Sequence, residues 1–335
     1  MITLDLLDRV KLYEIPYFSI FIARTFLATD YKLHNLKIIF EGTENLPKDT
    51  PVIFAMNHTD RYNYWPFQYY LYRSKDPNIR FKYTSTWIKG KYIENPLMAK
   101  YFSYVNAIPI PSKGYLLIKD FEELFGKQKM SDIEYRFIRD YVDGKISMED
   151  LQNNKLDNLI KTITTKHGDF DPDKMEYRDF IRDIFTKMMS KVRELNKQSI
   201  FEKNLHLTIF PEGTRSSRLK KGHIGLSEVA LSLNVPVVPV GCNGSEKCYP
   251  GNSPIITKNC KVIYRIGKPM TINDELKPYK IEENFIPFTP EAELKYKKEF
   301  EGATNLIMGK INDLLDPEYQ FSGDDSNKTG INRFV

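Results

Sequence analysis

Residues 205–209, Leu-His-Leu-Thr-Ile, alternate in the manner of a short strand, with Leu205, Leu207 and Ile209 on one face. The strand runs straight into Phe210-Pro211-Glu212-Gly213-Thr214-Arg215-Ser216. A strand ending this way delivers an acid, a Gly turn, a hydroxyl and a guanidinium to one edge of a sheet. Gly213 lets the backbone approach a ligand closely or adopt positive φ. Arg215 offers a planar fork suited to phosphate or carboxylate. The plainer reading is a tight turn with a surface Glu–Arg pair. A second stretch weighs against it: Val52-Ile53-Phe54-Ala55-Met56-Asn57-His58, an apolar run closed by Asn-His.

These two stretches resemble the boxes of the PlsC-like glycerolipid acyltransferase family. Its members carry Asn-His-x4-Asp after one strand and Phe-Pro-Glu-Gly-Thr-Arg-Ser after a later one. Val235-Pro236-Val237-Val238-Pro239-Val240-Gly241 is similar to a further family strand, and the boxes come in family order. The likeness spans residues 36–320 with one large insertion. It implies an α/β fold: a mixed, largely parallel central sheet flanked by helices, with N-terminal amphipathic helices and a helical insertion. One departure stands out, since Asn63 occupies the place of the first box's Asp.

A chain of 335 residues with 41% hydrophobic content fits one large domain or two smaller ones. A formal charge of +5 suits an anionic membrane surface or a phosphate-bearing substrate and is too weak to imply nucleic acid. No zinc spacing or other nucleic-acid motif is present. Asp169, Asp171 and Asp173 alternate like a calcium loop, but Lys174 and Phe180 stand where that loop needs Gly and Glu. Three cysteines, Cys242, Cys248 and Cys260, with no CxxC, read as reduced thiols of an intracellular protein. Asp5 and Asp8 argue against a secretory leader. Residues 1–35 read as amphipathic helices with Phe18, Phe21, Ile22 and Phe26 near helical spacing. They lie in a membrane interface or on the protein's own core; the family likeness favours peripheral attachment at the cytoplasmic face.

Along the chain, strands are expected at 36–42, 52–56, 81–87, 107–111, 235–240 and 261–266. Asn63 is the natural N-cap of a helix over 64–73. The segment 115–204 is charged, nearly free of glycine and helical in period, and reads as an inserted lid or partner-binding subdomain. Within it Asp171 is expected to cap a long helix with Pro172 at its first position. A last helix is expected over 291–315. Residues 321–335 are polar and expected to be disordered.

Acyl transfer to a hydroxyl needs a base, donors for the developing oxyanion and a hold on the acceptor. Neutral His58 suits the base, provided a partner accepts from Nδ1 and leaves Nε2 free. Asn63 can accept that bond through its carbonyl; Asp60 is the other candidate; a chain with no working dyad would be a silent lipid-binding homologue. Asn63→Asp is expected to retain or raise activity. Carried over from the family, Glu212 and Arg215 hold a phosphorylated acceptor, with Gly213 and Thr214 shaping the loop. Ser112 replaces a family Arg, and Lys113 follows it as a phosphate ligand by charge. No nucleophile elbow is present, so direct attack of the acceptor on a thioester is expected. The resemblance implies acyl-CoA or acyl carrier protein as donor, no further cofactor, and a lysolipid acceptor, first of all 1-acyl-sn-glycerol-3-phosphate. Glycerol 3-phosphate or another lipid or polyol hydroxyl is the alternative.

Overall fold

A computed structural model describes residues 3–126 and 128–322 of the chain. The tail read as disordered lies almost wholly outside the described residues. Helices α1 (Leu4–Asp8), α2 (Tyr17–Ile22) and α3 (Ala28–Leu33) open the chain, with a π turn at Ala23–Leu27 joining the last two. Then come β1 (Lys37–Glu41), β2 (Ile53–Met56), α4 (Tyr64–Arg73), β3 (Thr84–Lys89), α5 (Pro96–Tyr104) and β4 (Ala107–Ile110). The helical segment follows as α6 (Lys113–Phe125), α7 (Asp132–Val142), α8 (Met148–Asn153), α9 (Asp157–Thr164) and α10 (Tyr177–Lys197). The chain then returns through β5 (His206–Ile209), α11 (Gly225–Leu233), β6 (Val237–Asn243), α12 (Ser245–Cys248) and β7 (Lys261–Ile266), ending in α13 (Pro290–Lys295) and α14 (Lys297–Asp313).

The seven strands form one sheet in the order β1-β7-β6-β2-β5-β3-β4. Only the β6–β7 pair is antiparallel, so β6, β2, β5, β3 and β4 all point one way. This is the mixed, largely parallel sheet expected. Strands β2, β5 and β6 are buried on both faces, as the apolar runs of β2 and β6 require, whereas β5 buries His206 and Thr208 on its second face. Pro109 is tolerated because β4 is an edge strand. One core, with Phe54, Met56, Phe67 and Val240, lies under α4 and the N-terminal helices. The other, with Ile53, Leu207, Val229 and Ile307, lies under α10, α11 and α14. The helical segment packs a third core of its own, including Phe121, Ile138, Leu159 and Phe170.

Three expectations are corrected. Helix α10 starts at Tyr177, because residues 171–175 make a turn in which Asp171 accepts from Lys166 Nζ (2.9 Å) and from the Asp173 backbone (3.2 Å). The last helix breaks at Tyr296 into α13 and α14. The cysteines are not three free thiols: Cys248 and Cys260 form a disulfide, their Cα atoms 5.6 Å apart, and Cys242 alone stays free and buried. The chain returning from α12 to β7 brings that pair together, which no sequence spacing signals. Among the described residues no helix is long and apolar enough to cross a membrane.

Helix α14 lies so close to β6 that a Cβ on Gly241 would come within 2.5 Å of the Leu314 carbonyl oxygen. Backbone cannot yield as a side chain does, so Gly241→Ala should destabilise the fold by about 1–3 kcal/mol. A denaturant midpoint equal to wild type would contradict this packing.

Candidate active site

The five co-directional strands end at one edge of the sheet, where open α/β sheets bind their ligands. Asn57, the first residue past β2, prolongs the β2–β6 pairing with its side chain. Its Oδ1 accepts from the Cys242 N–H (2.7 Å) and its Nδ2 donates to the Cys242 carbonyl (3.0 Å). The next residue, His58, is thereby fixed at the edge.

Both backbone groups of His58 are held by the turn after β5. The His58 N–H donates to Glu212 Oε1 (2.8 Å), and the His58 carbonyl accepts from the Ser216 N–H (2.9 Å). The imidazole is half-buried and stacks on Phe210, with ring centroids 4.2 Å apart and planes 24° from parallel. Its Nδ1 lies 3.1 Å from Asn63 Oδ1. The sense of that amide follows from its other end, since Asn63 Nδ2 donates to the Asn57 carbonyl (2.9 Å). Oδ1 must then face the ring, so Nδ1 carries the proton and Nε2 is left as the acceptor. Tyr264 donates its hydroxyl to the Asn63 carbonyl from beneath. Asn63 is fully buried, and its side chain makes no capping bond to α4. The N-cap role expected of it is therefore not the one it has.

Asp60, the other candidate partner, does not meet the ring. Its Oδ1 accepts from the Tyr62 N–H (2.7 Å) and its Oδ2 from the Thr59 hydroxyl (3.0 Å). Burial raises its carboxyl above the ordinary value.

Glu212 is buried, and both carboxylate oxygens are taken by backbone donors, Oε1 by His58 and Oε2 by Lys220 (2.9 Å). Burial pushes its pKa up to about 7 against the pull of those two N–H groups. It ties the two boxes together, where the sequence suggested contact with the acceptor. Gly213 sits at φ +62°, and a Cβ there would come 2.9 Å from the His223 ring. Thr214 is half-buried and Arg215 exposed on the same turn.

Lys113 is not brought to His58. It begins α6 after Ser112 caps that helix, and its Nζ lies 5.5 Å over the Phe185 ring. Its charge acts on Glu228 and Glu293. In the strand order β4 is three strands from β2, about 14 Å at the usual spacing. Lys89, at the end of β3, is one strand nearer, and sequence reasoning overlooked it. The charges of Arg215 and Lys89 both reach His58. Burial lowers the His58 pKa to about 4; the Asn63 hydrogen bond opposes this, and the two cations add to it. The free thiol Cys242 is fully buried with its pKa raised by burial, which removes it as a nucleophile.

The family model described as Acyltransferase matches residues 177–243, the segment from α10 through β5, the Glu-Gly-Thr-Arg turn and β6. This bears out the family likeness over the second box and the strand after it; the first box lies outside the match. A comparison with curated proteins found no match. Among solved structures, the chain is similar to the 1-acyl-sn-glycerophosphate (LPA) acyltransferase PlsC from Thermotoga maritima. That similarity has 14% identity and a TM-score of 0.41, covering 87% of this chain and 80% of that one.

The electrostatics predict a histidine that stays neutral where an ordinary one titrates. In the free protein, His58 ring resonances should remain those of neutral imidazole from pH 8 down to about 5, with the midpoint near 4. Arg215→Ala should move that midpoint upward by removing a nearby cation. A midpoint near the ordinary value of about 6.5 would contradict the burial of the ring.

Proposed function

We propose that this chain, PlsC-like in its boxes and acyltransferase-like in its matching segment, moves a fatty acyl group from a thioester to a hydroxyl of a lysolipid. The first candidate acceptor is 1-acyl-sn-glycerol-3-phosphate; the donor is acyl-CoA or acyl carrier protein. The observation that carries the reading is the pairing of His58 Nδ1 with an amide oxygen whose orientation is fixed from its far end.

Nε2 takes the proton of the acceptor hydroxyl as its oxygen attacks the thioester carbonyl carbon. A C–O bond forms and the carbonyl oxygen takes on negative charge. Collapse of that intermediate breaks the C–S bond, and the imidazolium returns its proton to the departing thiolate. No residue is acylated. Asn63 keeps the ring in the correct tautomer, and Phe210 holds its plane. Arg215 and Lys89 hold the acceptor phosphate, with Arg215 as the bidentate partner. Glu212 acts through His58 by fixing its backbone and is a positioning residue. The acceptor lies in a membrane leaflet, and the protein works peripherally on its cytoplasmic face.

The hydrogen bonds reverse one expectation. An aspartate at 63 would lose the donor to Asn57 and bring a carboxylate oxygen against a carbonyl oxygen at the present 2.9 Å contact. In a fully buried place, that group must take up a proton or turn away, and either weakens its hold on Nδ1.

The test is purified protein with acyl-CoA or acyl carrier protein and a panel of lysolipids, read as new ester by mass spectrometry. Ester formation should appear and vanish in His58→Ala. Asn63→Asp should lower kcat about ten- to hundredfold, the equivalent of one unsatisfied buried polar group. Arg215→Ala should raise KM for phosphate-bearing acceptors more than for acceptors without phosphate. Lipid binding with no His58-dependent ester from any acceptor would instead identify a silent homologue. A faster Asn63→Asp would overturn the role given to the amide.

A further inference from the structure

Helix α5, Pro96-Leu97-Met98-Ala99-Lys100-Tyr101-Phe102-Ser103-Tyr104, is apolar along most of its length, yet none of its residues is buried. Leu97 is 78% exposed, and Met98 and Tyr104 are also exposed. A helix of this composition ordinarily sits inside a core.

It stands beside another apolar surface. The Phe18 ring of α2 packs edge-on against Tyr101 at 6.0 Å and lies 5.8 Å from Tyr104. Tyr13 stacks on Tyr104 at 6.0 Å. From the same N-terminal segment Tyr17, Phe21 and Phe26 face solvent, Tyr17 with 74% and Phe26 with 66% of its surface. Side chains tie the two elements together. Asn106 accepts from the Tyr13 N–H and donates to the Tyr13 carbonyl, both at 2.8 Å. Ser103 makes the equivalent pair with Lys11, both at 3.2 Å. Asn95 caps α5 through the N–H groups of Leu97 and Met98. The surface is held rigid, as a preformed contact face should be.

The charges around it decide the occupant. Arg24, Lys32 and Lys100 are exposed on these elements, and Lys91 lies 6.0 Å over the Tyr92 ring, which in turn packs on Phe102. Of the nearby acids, Glu94 pairs with Lys119 and Tyr115, which leaves Asp30, beside the His34 ring, and exposed Glu14 against the four cations. An apolar plane rimmed by cations and carrying tyrosines matches the headgroup boundary of an anionic bilayer. The plane also borders the site, since Tyr101 lies near Tyr62 and Tyr64, which flank Asn63.

We propose that α5 is a second membrane anchor, coplanar with α2 and the π turn, and that the ligand of this joint face is an anionic phospholipid surface. The proposal deepens the membrane part of the preceding reading and does not depend on catalysis. It assigns to residues 96–104 a contact that was expected only of residues 1–35.

The test is flotation of the full chain with vesicles of phosphatidylcholine alone or mixed with phosphatidylglycerol. Wild type should bind the mixed vesicles more tightly, and added salt should weaken that binding. The double variant Leu97→Asp, Met98→Asp should bind them at least about tenfold more weakly, as removal of two exposed apolar anchors requires. Acyl transfer to a short-chain, water-soluble acceptor should be unchanged, which separates failure of this proposal from failure of the enzyme reading. Leu97→Trp gives a second readout should the aspartates disturb folding, because lipids brominated in their acyl chains should quench fluorescence beyond the wild-type level. Unchanged flotation of the double variant, or no added quenching at position 97, overturns the proposal. So does a wild-type dimer that the double variant dissociates while vesicle binding persists, since the face would then belong to a second copy of the chain.

Discussion

The Glu212 carboxylate joins two parts of the chain that lie 154 residues apart in sequence. One oxygen takes the His58 N–H and the other the Lys220 N–H, so a single buried acid sets where the imidazole stands relative to the arginine-bearing turn. Charge-assisted bonds to backbone donors are among the stronger ones a side chain makes. Their geometry is fixed by β2 and β5, which are adjacent and parallel. The Ser216 N–H closes the loop by donating to the His58 carbonyl. Without this clamp the histidine and the arginine would be two surface groups on neighbouring turns.

The clamp also explains why an amide can stand where the family has an acid. His58 is enclosed by Phe210, Asn63 and the turn, and two cations act on it, so the resting ring is neutral and needs no counter-charge. What it needs is orientation, and the bond from Asn63 Nδ2 to the Asn57 carbonyl supplies that. Asn57 is itself held by both backbone groups of Cys242, so the chain of bonds ends in the β6 backbone. Orientation is transmitted from the sheet to the ring through two amides in succession, with no charged group on the route.

The apolar runs at 52–56 and 235–240 were legible as buried strands because doubly covered parallel strands leave no other pattern. The two boxes were legible because their residues match those of the family, the first after the apolar run 52–56 and the second after the alternating strand 205–209. The partner of His58 was also legible, since Asn63 lies only five residues away in sequence. What could not be read was set by strand order. Lys113 and Lys89 are both lysines at strand ends, and only the sheet order puts β3 nearer than β4 to β2. The role of Glu212 as an acceptor ligand came from the family resemblance; its burial and its bonds to the His58 and Lys220 backbone depend on residues far away in the chain. Cys248 and Cys260 are joined by the same kind of return, and Asp171 was drawn from a cap into a turn by Lys166.

On the proposed reading of His58 as the base, the cations beside it set the order of events. Arg215 and Lys89 hold down the proton affinity of His58, which makes the free protein's base weak. On the proposed reading, an acceptor phosphate bound between them would cancel part of that positive field. The imidazole would then become a stronger base only with acceptor in place, and a donor arriving alone would meet a ring poorly able to activate water. An ionised aspartate partner, in a site without a carbonyl set against it as Asn57 is here, would raise the basicity of the ring whether or not acceptor is bound. The amide leaves that control to the ligand's own charge, which gives the exchange of Asp for Asn a physical rationale within an active enzyme.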